Sequence, residues 1–274
     1  MRNAIVGAMK RIPPVARAYR ALRDARYAYS AGRMTRWGFH FAGHRAMESG
    51  DYETEVVMEL QRQFRGADVF INVGANFGYY LCLALHERKP GIGFEPLPAN
   101  LRLLYRNVAA NENGTPIEVY PMAVSNRIGL AKFYGSGTGA SLTAGFSGLS
   151  RKSVMVPVNT LDNMIGQRFQ GKRSVLLVDA EGAEPDIVRG AHSLLNNNPR
   201  PTWLVEVSFE DQGQVNLASL ETFRIFWQSG YEAWSLGKGG NPKRHVTEDQ
   251  VQRCAAGELS ALPPTMFLFT PMQV

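Results

Sequence analysis

Four carboxylate residues lie within or just after two apolar runs in the second half of the chain. Asp179, Glu181 and Glu184 come after the run SVLLV, and Glu206 lies in the run WLVEV. If both runs are neighbouring strands, these carboxylates meet at one edge of a sheet, where clustered negative charges raise pKa values and suit a general base. The candidate catalytic residues are therefore Asp179, Glu181 and Glu184.

Each of these acids also has a structural interpretation. Glu184 stands at the start of a predicted helix, where it could act as a cap, and the others could face solvent. An acidic edge could also hold a divalent cation, but no histidine joins the cluster to suggest zinc, and we assign no metal ligand. His40 and His44, in a stretch rich in glycine and aromatic residues, are alternative bases whose position nothing in the sequence fixes.

A glycine turn follows the first predicted strand, in the segment INVGANFGYY. Gly74 would allow a tight turn and the close approach of a ligand, and the amides at the start of the next helix would face the polar end of that ligand. Glu95 ends the second strand at a spacing that suits hydrogen bonds to both hydroxyls of a ribose. Ala123, at the end of the third strand, could line an adenine pocket. The glycine spacing differs from the G-x-G-x-x-G of dinucleotide sites, which disfavours a nicotinamide dehydrogenase.

The elements that would position these residues alternate along the chain. Central runs such as VLLV are apolar on both faces, so the alternation predicts an α/β fold with a mainly parallel, Rossmann-like sheet and helices on both faces. Residues 127–158 interrupt this order and predict a hairpin insertion with a Gly/Ser-rich tip. The strands are predicted at 68–73, 91–95, 117–122, 174–179, 203–208, 231–235 and 266–270, and the helices at about 76–87, 97–111, 184–195 and 217–229.

Charge is distributed unevenly over the 274 residues, whose net charge is +6. Residues 1–50 contain ten Lys and Arg against two acids, so we divide the chain into a basic helical extension, 1–50, and a larger domain, 51–274. The acidic excess of the larger domain disfavours nucleic-acid binding. The extension could contact anionic lipid through residues 1–36 or pack on the domain. No apolar run is long enough to span a bilayer, and two isolated cysteines do not form a disulfide scaffold, so we expect a cytoplasmic protein.

The segments NVGANFG, FEP, AVS, PVNTLDNM, VDAEGAE, RGA and LVEV occur in this order, and with them the chain resembles the FkbM family of S-adenosylmethionine-dependent methyltransferases. The resemblance covers about residues 50–210. It implies the class I methyltransferase fold, whose seven-stranded sheet ends in an antiparallel strand, here the run MFLFT. It also implies O-methylation of hydroxyl groups on sugars or polyketide-type metabolites.

The resemblance also implies roles for particular residues. Glu95 would bind the ribose, and Asp179 and Glu181 would lie at the reaction centre. Asn72 stands where the family usually has Asp, which removes a charge that would pair with the ammonium group of the cofactor. The methionine portion of S-adenosylmethionine would be surrounded by Gly74, Ala75, Asn76 and Gly78.

We expect Glu181 or Asp179 to accept the hydroxyl proton during methyl transfer. The segment 135–148 would act as a lid over the acceptor. The polar segments 135–148 and 236–245 favour a sugar or glycan hydroxyl as acceptor. The main alternative is a non-catalytic relative that binds a cofactor or a glycan and is held at a membrane by its basic N-terminal helix. The sequence does not predict the oligomeric state.

Overall fold

The fold is that of a computed structural model, which describes residues 30–134, 141–142, 153–211, 214–237, 243–262 and 266–272. The predicted N-terminal helix lies outside the described residues, as does most of the predicted lid at 135–148. The segment 236–245 is described only at its two ends.

An eight-stranded sheet forms the centre of the molecule, with strands numbered along the chain. Its parallel part pairs five strands that follow predicted runs, and antiparallel strands complete one side. The order across the sheet is β14 (Arg244–Val246), β13 (Tyr231–Ser235), β15 (Met266–Pro271), β10 (Thr202–Glu206), β9 (Ser174–Val178), β3 (Val69–Val73), β4 (Gly91–Phe94) and β5 (Ile117–Tyr120).

The sheet confirms the predicted α/β class, with one correction. All seven predicted runs form strands, and β15 lies antiparallel between β10 and β13, as the resemblance implied. The short strand β14 adds an eighth member by pairing with β13. The sequence prediction of seven strands missed it because only three residues pair, and only Val246 among them is buried.

Helices cover both faces of the sheet, which explains why β3, β4 and β9 are buried along their whole length. One apolar layer contains Phe226 and Val205, and the layer on the opposite face contains Leu81 and Leu204. The helices are α1 (Arg45–Ser49), α2 (Thr54–Phe64), α3 (Tyr79–His86), α4 (Pro98–Ala110), α5 (Leu161–Ile165), α6 (Glu184–Arg189), α7 (His192–Leu195), α8 (Ala218–Gln228) and α9 (Glu248–Ala255), followed by a 3₁₀ turn, Leu259–Ala261.

The predicted helix 184–195 is divided into α6 and α7 at Gly190. The backbone of Gly190 passes so close to Ser125 that a Cβ atom on it would lie 2.2 Å from the Ser125 carbonyl oxygen. The apolar spacing continues through this break, so periodicity alone could not reveal it.

A smaller sheet carries the predicted insertion. It consists of β6 (Ala123–Val124), β8 (Ser153–Asn159) and β7 (Gly129–Tyr134), and β7 and β8 pair antiparallel as a hairpin. The inner face of the hairpin contributes Phe133 and Val156 to an apolar cluster that also contains Ala123. Two further pairs of short strands are β1 (Arg33–Met34) with β2 (His40–Phe41), and β11 (Glu210–Asp211) with β12 (Gln214–Val215).

Residues 30–50 pack onto the larger domain. Phe39, Phe41 and Met47 are almost fully buried in the same apolar cluster as Phe70 and Leu81 of the central layers. The boundary predicted at residue 50 therefore does not coincide with a break in the hydrophobic core. Within the described ranges, no helix is both long and apolar enough to cross a membrane.

Candidate functional site

A cavity opens where β3, β4 and β9 end, at the carboxyl edge of the parallel strands. It encloses about 540 Å³ of space free of atoms, part of it open to solvent. The turn after β3, the segment after β4, β6 and the loop after β9 form its walls. The polar side chains among the lining residues belong to Asn76, Glu95, Asn100, Asp179 and Glu181.

Glu95 is held in place by three donors. Its carboxylate accepts hydrogen bonds from the amide N–H of Asn76 at 2.9 Å, the amide N–H of Leu97 at 2.8 Å and the side-chain amide of Asn100 at 3.3 Å. Burial raises the pKa of Glu95 to about 7, against the lowering effect of these three bonds. A carboxylate oxygen can accept more than one bond, so the predicted ribose contact is compatible with this geometry.

The turn after β3 brings Gly74 and Asn76 to the cavity wall. Gly74 has a φ of +80°, and a Cβ atom on it would lie 1.8 Å from the carbonyl oxygen of Asp179. The glycine turn predicts the close approach of a ligand, but the atoms that require glycine here belong to the main chain of the neighbouring strand end. Asn76 also adopts a positive φ, of 50°, and its buried Oδ1 has no hydrogen-bond partner among the described residues.

Three of the predicted cofactor residues do not line the cavity. Ala75 is buried beside Gly93, and Gly78 packs against Leu104. Asn72 lies in β3, only 1% exposed, and neither polar atom of its side chain has a partner among the described residues. These residues shape the turn and the layer beneath it.

The cavity also has an apolar wall. It includes Ala123, as predicted for an adenine pocket, and Val124 and Met122 beside it. The hairpin adds Phe133, and the short described segment after it adds Leu142. Asn100, Phe133 and Leu142 were not predicted, because no spacing rule connects α4 or the hairpin with the strand ends.

Asp179 and Glu181, from the loop after β9, supply two acidic side chains to the cavity lining. The half-buried Asp179 side chain is hydrogen-bonded to that of Glu206, and desolvation and the neighbouring charges of Glu206, Glu53 and Glu181 raise its pKa well above the usual value. Glu181 has a φ of 52°, and its carbonyl oxygen accepts a hydrogen bond from the Ser141 hydroxyl at 2.5 Å. The structure therefore brings together the predicted pair and Glu206.

Glu184 occupies a different position from the other predicted bases. Its buried carboxylate accepts hydrogen bonds from the amides of Ala180 at 3.0 Å and Gly182 at 3.2 Å, at the start of α6, and it does not line the cavity. Burial raises the pKa of Glu184 to about 7. These contacts favour the structural interpretation, that of an acid stabilising the loop and the helix start.

Three further residues interact with these acidic side chains, and the sequence analysis did not predict them. Tyr52 and Glu53 precede α2, and Tyr80 lies in the first turn of α3. The Tyr80 hydroxyl donates a hydrogen bond of 2.5 Å to Glu53, and Tyr52 makes a second hydrogen bond to the same carboxylate. Burial raises the pKa of Tyr80, Tyr52 and Glu53. Their sequence separation from Asp179 explains why no motif revealed them.

The two candidate histidines lie outside the cavity lining. The imidazole of His44 accepts a hydrogen bond from the Ala46 amide and caps α1, and His40 lies in β2 with its main chain bonded to Asn111. Among the described residues, no group of three or more His, Cys, Asp or Glu side chains is placed to hold a metal ion.

Comparison with known proteins finds similarity to methyltransferase structures at low sequence identity. No curated protein sequence matches the chain. Among solved structures, the chain is similar to the O-methyltransferase TomG from Streptomyces achromogenes, solved in complex with SAM, with 12% identity, coverage of 80% of this chain and 79% of that chain, and a TM-score of 0.42. Cofactor-bound Rv0187 from MTB has 11% identity, coverage of 97% and 94%, and a TM-score of 0.42. Magnesium protoporphyrin IX methyltransferase from Synechocystis PCC 6803 with bound SAM has 7% identity, coverage of 92% and 91%, and a TM-score of 0.40.

A family model gives the assignment. The model described as the methyltransferase FkbM domain matches residues 72–233, which is more than half of the chain and contains the glycine turn, Glu95 and the acidic strand ends. The chain therefore belongs to the FkbM family of S-adenosylmethionine-dependent methyltransferases.

Proposed function

We propose that this chain transfers a methyl group from S-adenosylmethionine to a hydroxyl group of a small sugar or related metabolite, with Asp179 as the base. The observation that carries the proposal is that one cavity is lined by both Glu95 and Asp179, and that Asp179 is hydrogen-bonded to Glu206. In this proposal, Glu95 would bind the ribose of the cofactor, and Asp179 would accept the proton of the hydroxyl group that is methylated.

The residues present fit the cofactor. Glu95 would bind the ribose hydroxyls, and the wall formed by Met122, Ala123 and Val124 would cover the adenine. The unpartnered Oδ1 of Asn76 offers a buried acceptor beside Glu95. A buried polar atom without a hydrogen bond costs free energy, so a ligand that supplies a donor there would be stabilised.

The protein's own contribution to the reaction is proton transfer and exclusion of water. S-adenosylmethionine, when bound, supplies an electrophilic methyl group. A neutral hydroxyl is a poor nucleophile, so a positioned carboxylate that takes its proton during attack accelerates the reaction. Asp179 lines the cavity, and burial and the neighbouring charges of Glu206, Glu53 and Glu181 raise its pKa. Glu181 lines the same cavity and is the alternative base.

The choice of a sugar acceptor is supported by composition. The segments 135–148 and 236–245 are rich in Gly and polar residues, which suits a polar acceptor better than an apolar one. Lid closure by 135–148, membrane contact through 1–36 and a cytoplasmic location stay predictions.

Calorimetric titration of S-adenosylmethionine into the wild-type chain and Glu95→Gln tests the donor site. Gln keeps an acceptor oxygen for the Asn76 and Leu97 amides but loses the charge, and hydrogen bonds to charged groups contribute about 1.5–3 kcal/mol. We expect affinity to fall by about 10- to 100-fold. The matched control Glu112→Gln, an exposed acid outside the cavity lining, should bind as the wild type does.

Incubation with a labelled methyl donor and fractionated cell extract tests the acceptor. Label in the glycan fraction supports the proposal, and label only in the apolar fraction would contradict the sugar class. Absence of donor binding at millimolar concentration would overturn the enzyme proposal. Tight binding without transfer to any fraction would favour the non-catalytic alternative.

A further inference from the structure

A second cavity lies beside the first, between the hairpin and the start of α6. It encloses about 1020 Å³ of space free of atoms, part of it open to solvent. Leu142 and Ala183 line both cavities, so the two spaces adjoin. This outer cavity is defined by those two shared residues together with Arg127, Lys132, Tyr134 and Asp186.

Hydrogen bonds hold the boundary between the two cavities. The main chains of Tyr134 and Ser141 exchange two hydrogen bonds, with N···O distances of 2.8 and 3.0 Å, at the end of β7. The Ser141 hydroxyl donates to the carbonyl oxygen of Glu181, and Leu142 follows Ser141 directly. The boundary is therefore fixed both to the hairpin and to the loop after β9. A molecule in the outer cavity would lie against the same loop that supplies Asp179 and Glu181 to the first cavity.

The outer cavity has an excess of positive charge. Arg127 and Lys132 are exposed, and neither forms an ion pair with any residue that the structure describes. The acid in the described part of the lining is Asp186, which is already bonded to Arg189 at 2.6 Å and to Asn126 at 3.1 Å. Its charge is therefore offset outside the cavity, while the two cations keep theirs.

The first cavity has the opposite character. Glu95, Asp179 and Glu181 line it, and no lysine or arginine is among its lining residues in the described ranges. A carboxylate repels an anionic group, and a protonated carboxyl offers it no positive charge. An acceptor with one anionic group would therefore be oriented by charge, with that group beside Arg127 and Lys132 and a hydroxyl directed toward the first cavity.

The remaining lining suits the carbon skeleton of a sugar. Lys132 and Met155 are register partners in the hairpin, and Leu130 and Tyr134 each lie two residues from Lys132, so the four side chains share one face. Leu130 and Met155 are 66% and 54% exposed, and both line the outer cavity with Tyr134. Binding sites commonly combine apolar and aromatic walls with a few charged groups that fix orientation. Here the charged groups are the two cations.

We propose that the outer cavity binds the phosphate of a phosphorylated sugar, and that this sugar phosphate is the acceptor of the methyl group. The inference rests on the proposed function and names the class of its acceptor. A phosphate monoester carries about 1.5–2 negative charges at neutral pH and three acceptor oxygens, so it matches two cations, whereas a carboxylate matches one. Arg127 can bind two of the oxygens at once, and Lys132 acts as a point charge.

The first test measures phosphate binding without methyl transfer, by ³¹P NMR titration with inorganic phosphate. The proteins are the wild type, the double variant Arg127→Gln/Lys132→Gln, and the control Arg102→Gln/Lys172→Gln, which removes two exposed cations outside the lining of both cavities. We expect the first double variant to bind phosphate at least about 10-fold more weakly, because two charge-assisted contacts are lost. The control should bind as the wild type does. Equal affinity in all three proteins would overturn the inference.

The second test identifies the charge of the methylated product. The wild type is incubated with labelled S-adenosylmethionine and cell extract, and the labelled product is applied to an anion-exchange resin before and after enzymatic removal of phosphate. We expect the resin to retain the label until the phosphate is removed. Release by a phosphomonoesterase alone identifies a terminal phosphate, and release only after a nucleotide pyrophosphatase identifies a nucleotide sugar.

The outcomes separate this inference from the proposed function. Label that the resin does not retain, or that stays bound after both enzymes, would overturn the phosphate class and leave methyl transfer to a sugar intact. Phosphate binding that is lost in Arg127→Gln/Lys132→Gln, with no labelled product in any fraction, would refute the proposed function and leave the phosphate site supported.

Discussion

The contact between Gly74 and the end of β9 makes a quantitative prediction for Gly74→Ala. The new Cβ atom would lie 1.8 Å from the carbonyl oxygen of Asp179 and 2.9 Å from its carbonyl carbon. Both are main-chain atoms, so no rotamer change relieves the overlap. The Asp179 amide also donates a hydrogen bond of 3.1 Å to the Val73 carbonyl, so separating the two strand ends would strain this bond too.

Gly114→Ala is a matched control for the backbone part of this cost. Gly114 has nearly the same φ, +83° against +80°, but no atom lies within 4 Å of the position that a Cβ atom on it would take. Its substitution should cost only the left-handed strain, about 1–2 kcal/mol. For Gly74→Ala we expect about 4 kcal/mol or more, since large losses arise where main chain must move. The difference of about 3 kcal/mol measures the close approach itself.

Urea denaturation of both variants provides the measurement, with thermal unfolding as a check. At about 2–4 °C per kcal/mol for a domain of this size, Gly74→Ala should lower Tm by about 8–16 °C and Gly114→Ala by only a few degrees. Equal losses in the two variants would refute the argument that the Asp179 main chain requires glycine at position 74.

Two further predictions concern buried polar groups. Because burial raises the pKa of Glu184 to about 7 in the folded chain, the folded state keeps a proton that the unfolded state releases near pH 4.5, and this contribution to stability is lost as pH rises from about 4.5 to 7. Glu184→Gln should therefore reduce the difference in unfolding free energy between pH 4.5 and pH 8 by up to about 3 kcal/mol. If urea titrations show the same difference for the variant and the wild type, the raised pKa of Glu184 is contradicted. Asn72→Asp should lower the stability of the ligand-free chain, because it buries an unpaired acid near Asp179. It should also increase the thermal stabilisation that S-adenosylmethionine produces, since a charged acceptor strengthens a hydrogen bond to an ammonium group; equal stabilisation in both proteins would exclude that contact.

The alternating pattern was sufficient to predict the central sheet. Runs such as SVLLV are buried on both faces, and this requires helices on both sides, so the class of fold follows from composition and order. The pattern did not predict where individual elements are interrupted. Gly190 divides a continuous apolar periodicity because of a main-chain contact with Ser125, a contact between segments that are far apart in the sequence.

The candidate site was predictable where a motif follows a strand. Gly74 follows a predicted strand, and Glu95 and Asp179 are the last residues of two others; the geometry of a parallel sheet brings such positions together. Glu53 precedes α2 and Tyr80 lies in α3, and their interaction with Asp179 depends on tertiary packing that the spacing of residues in the sequence does not reveal. For the same reason, Glu184 could be recognised as a structural acid only from its hydrogen bonds to Ala180 and Gly182.

The placement of β15 has a consequence for folding during synthesis. This strand lies inside the sheet, between β10 and β13, although it follows both in the chain. Until the ribosome has released it, the edge of β10 that will pair with it has no partner, and that strand carries Trp203, Leu204 and Val205. Exposed apolar edges promote association between chains. Before β15 is in place, this edge of β10 is therefore open to pairing with another chain.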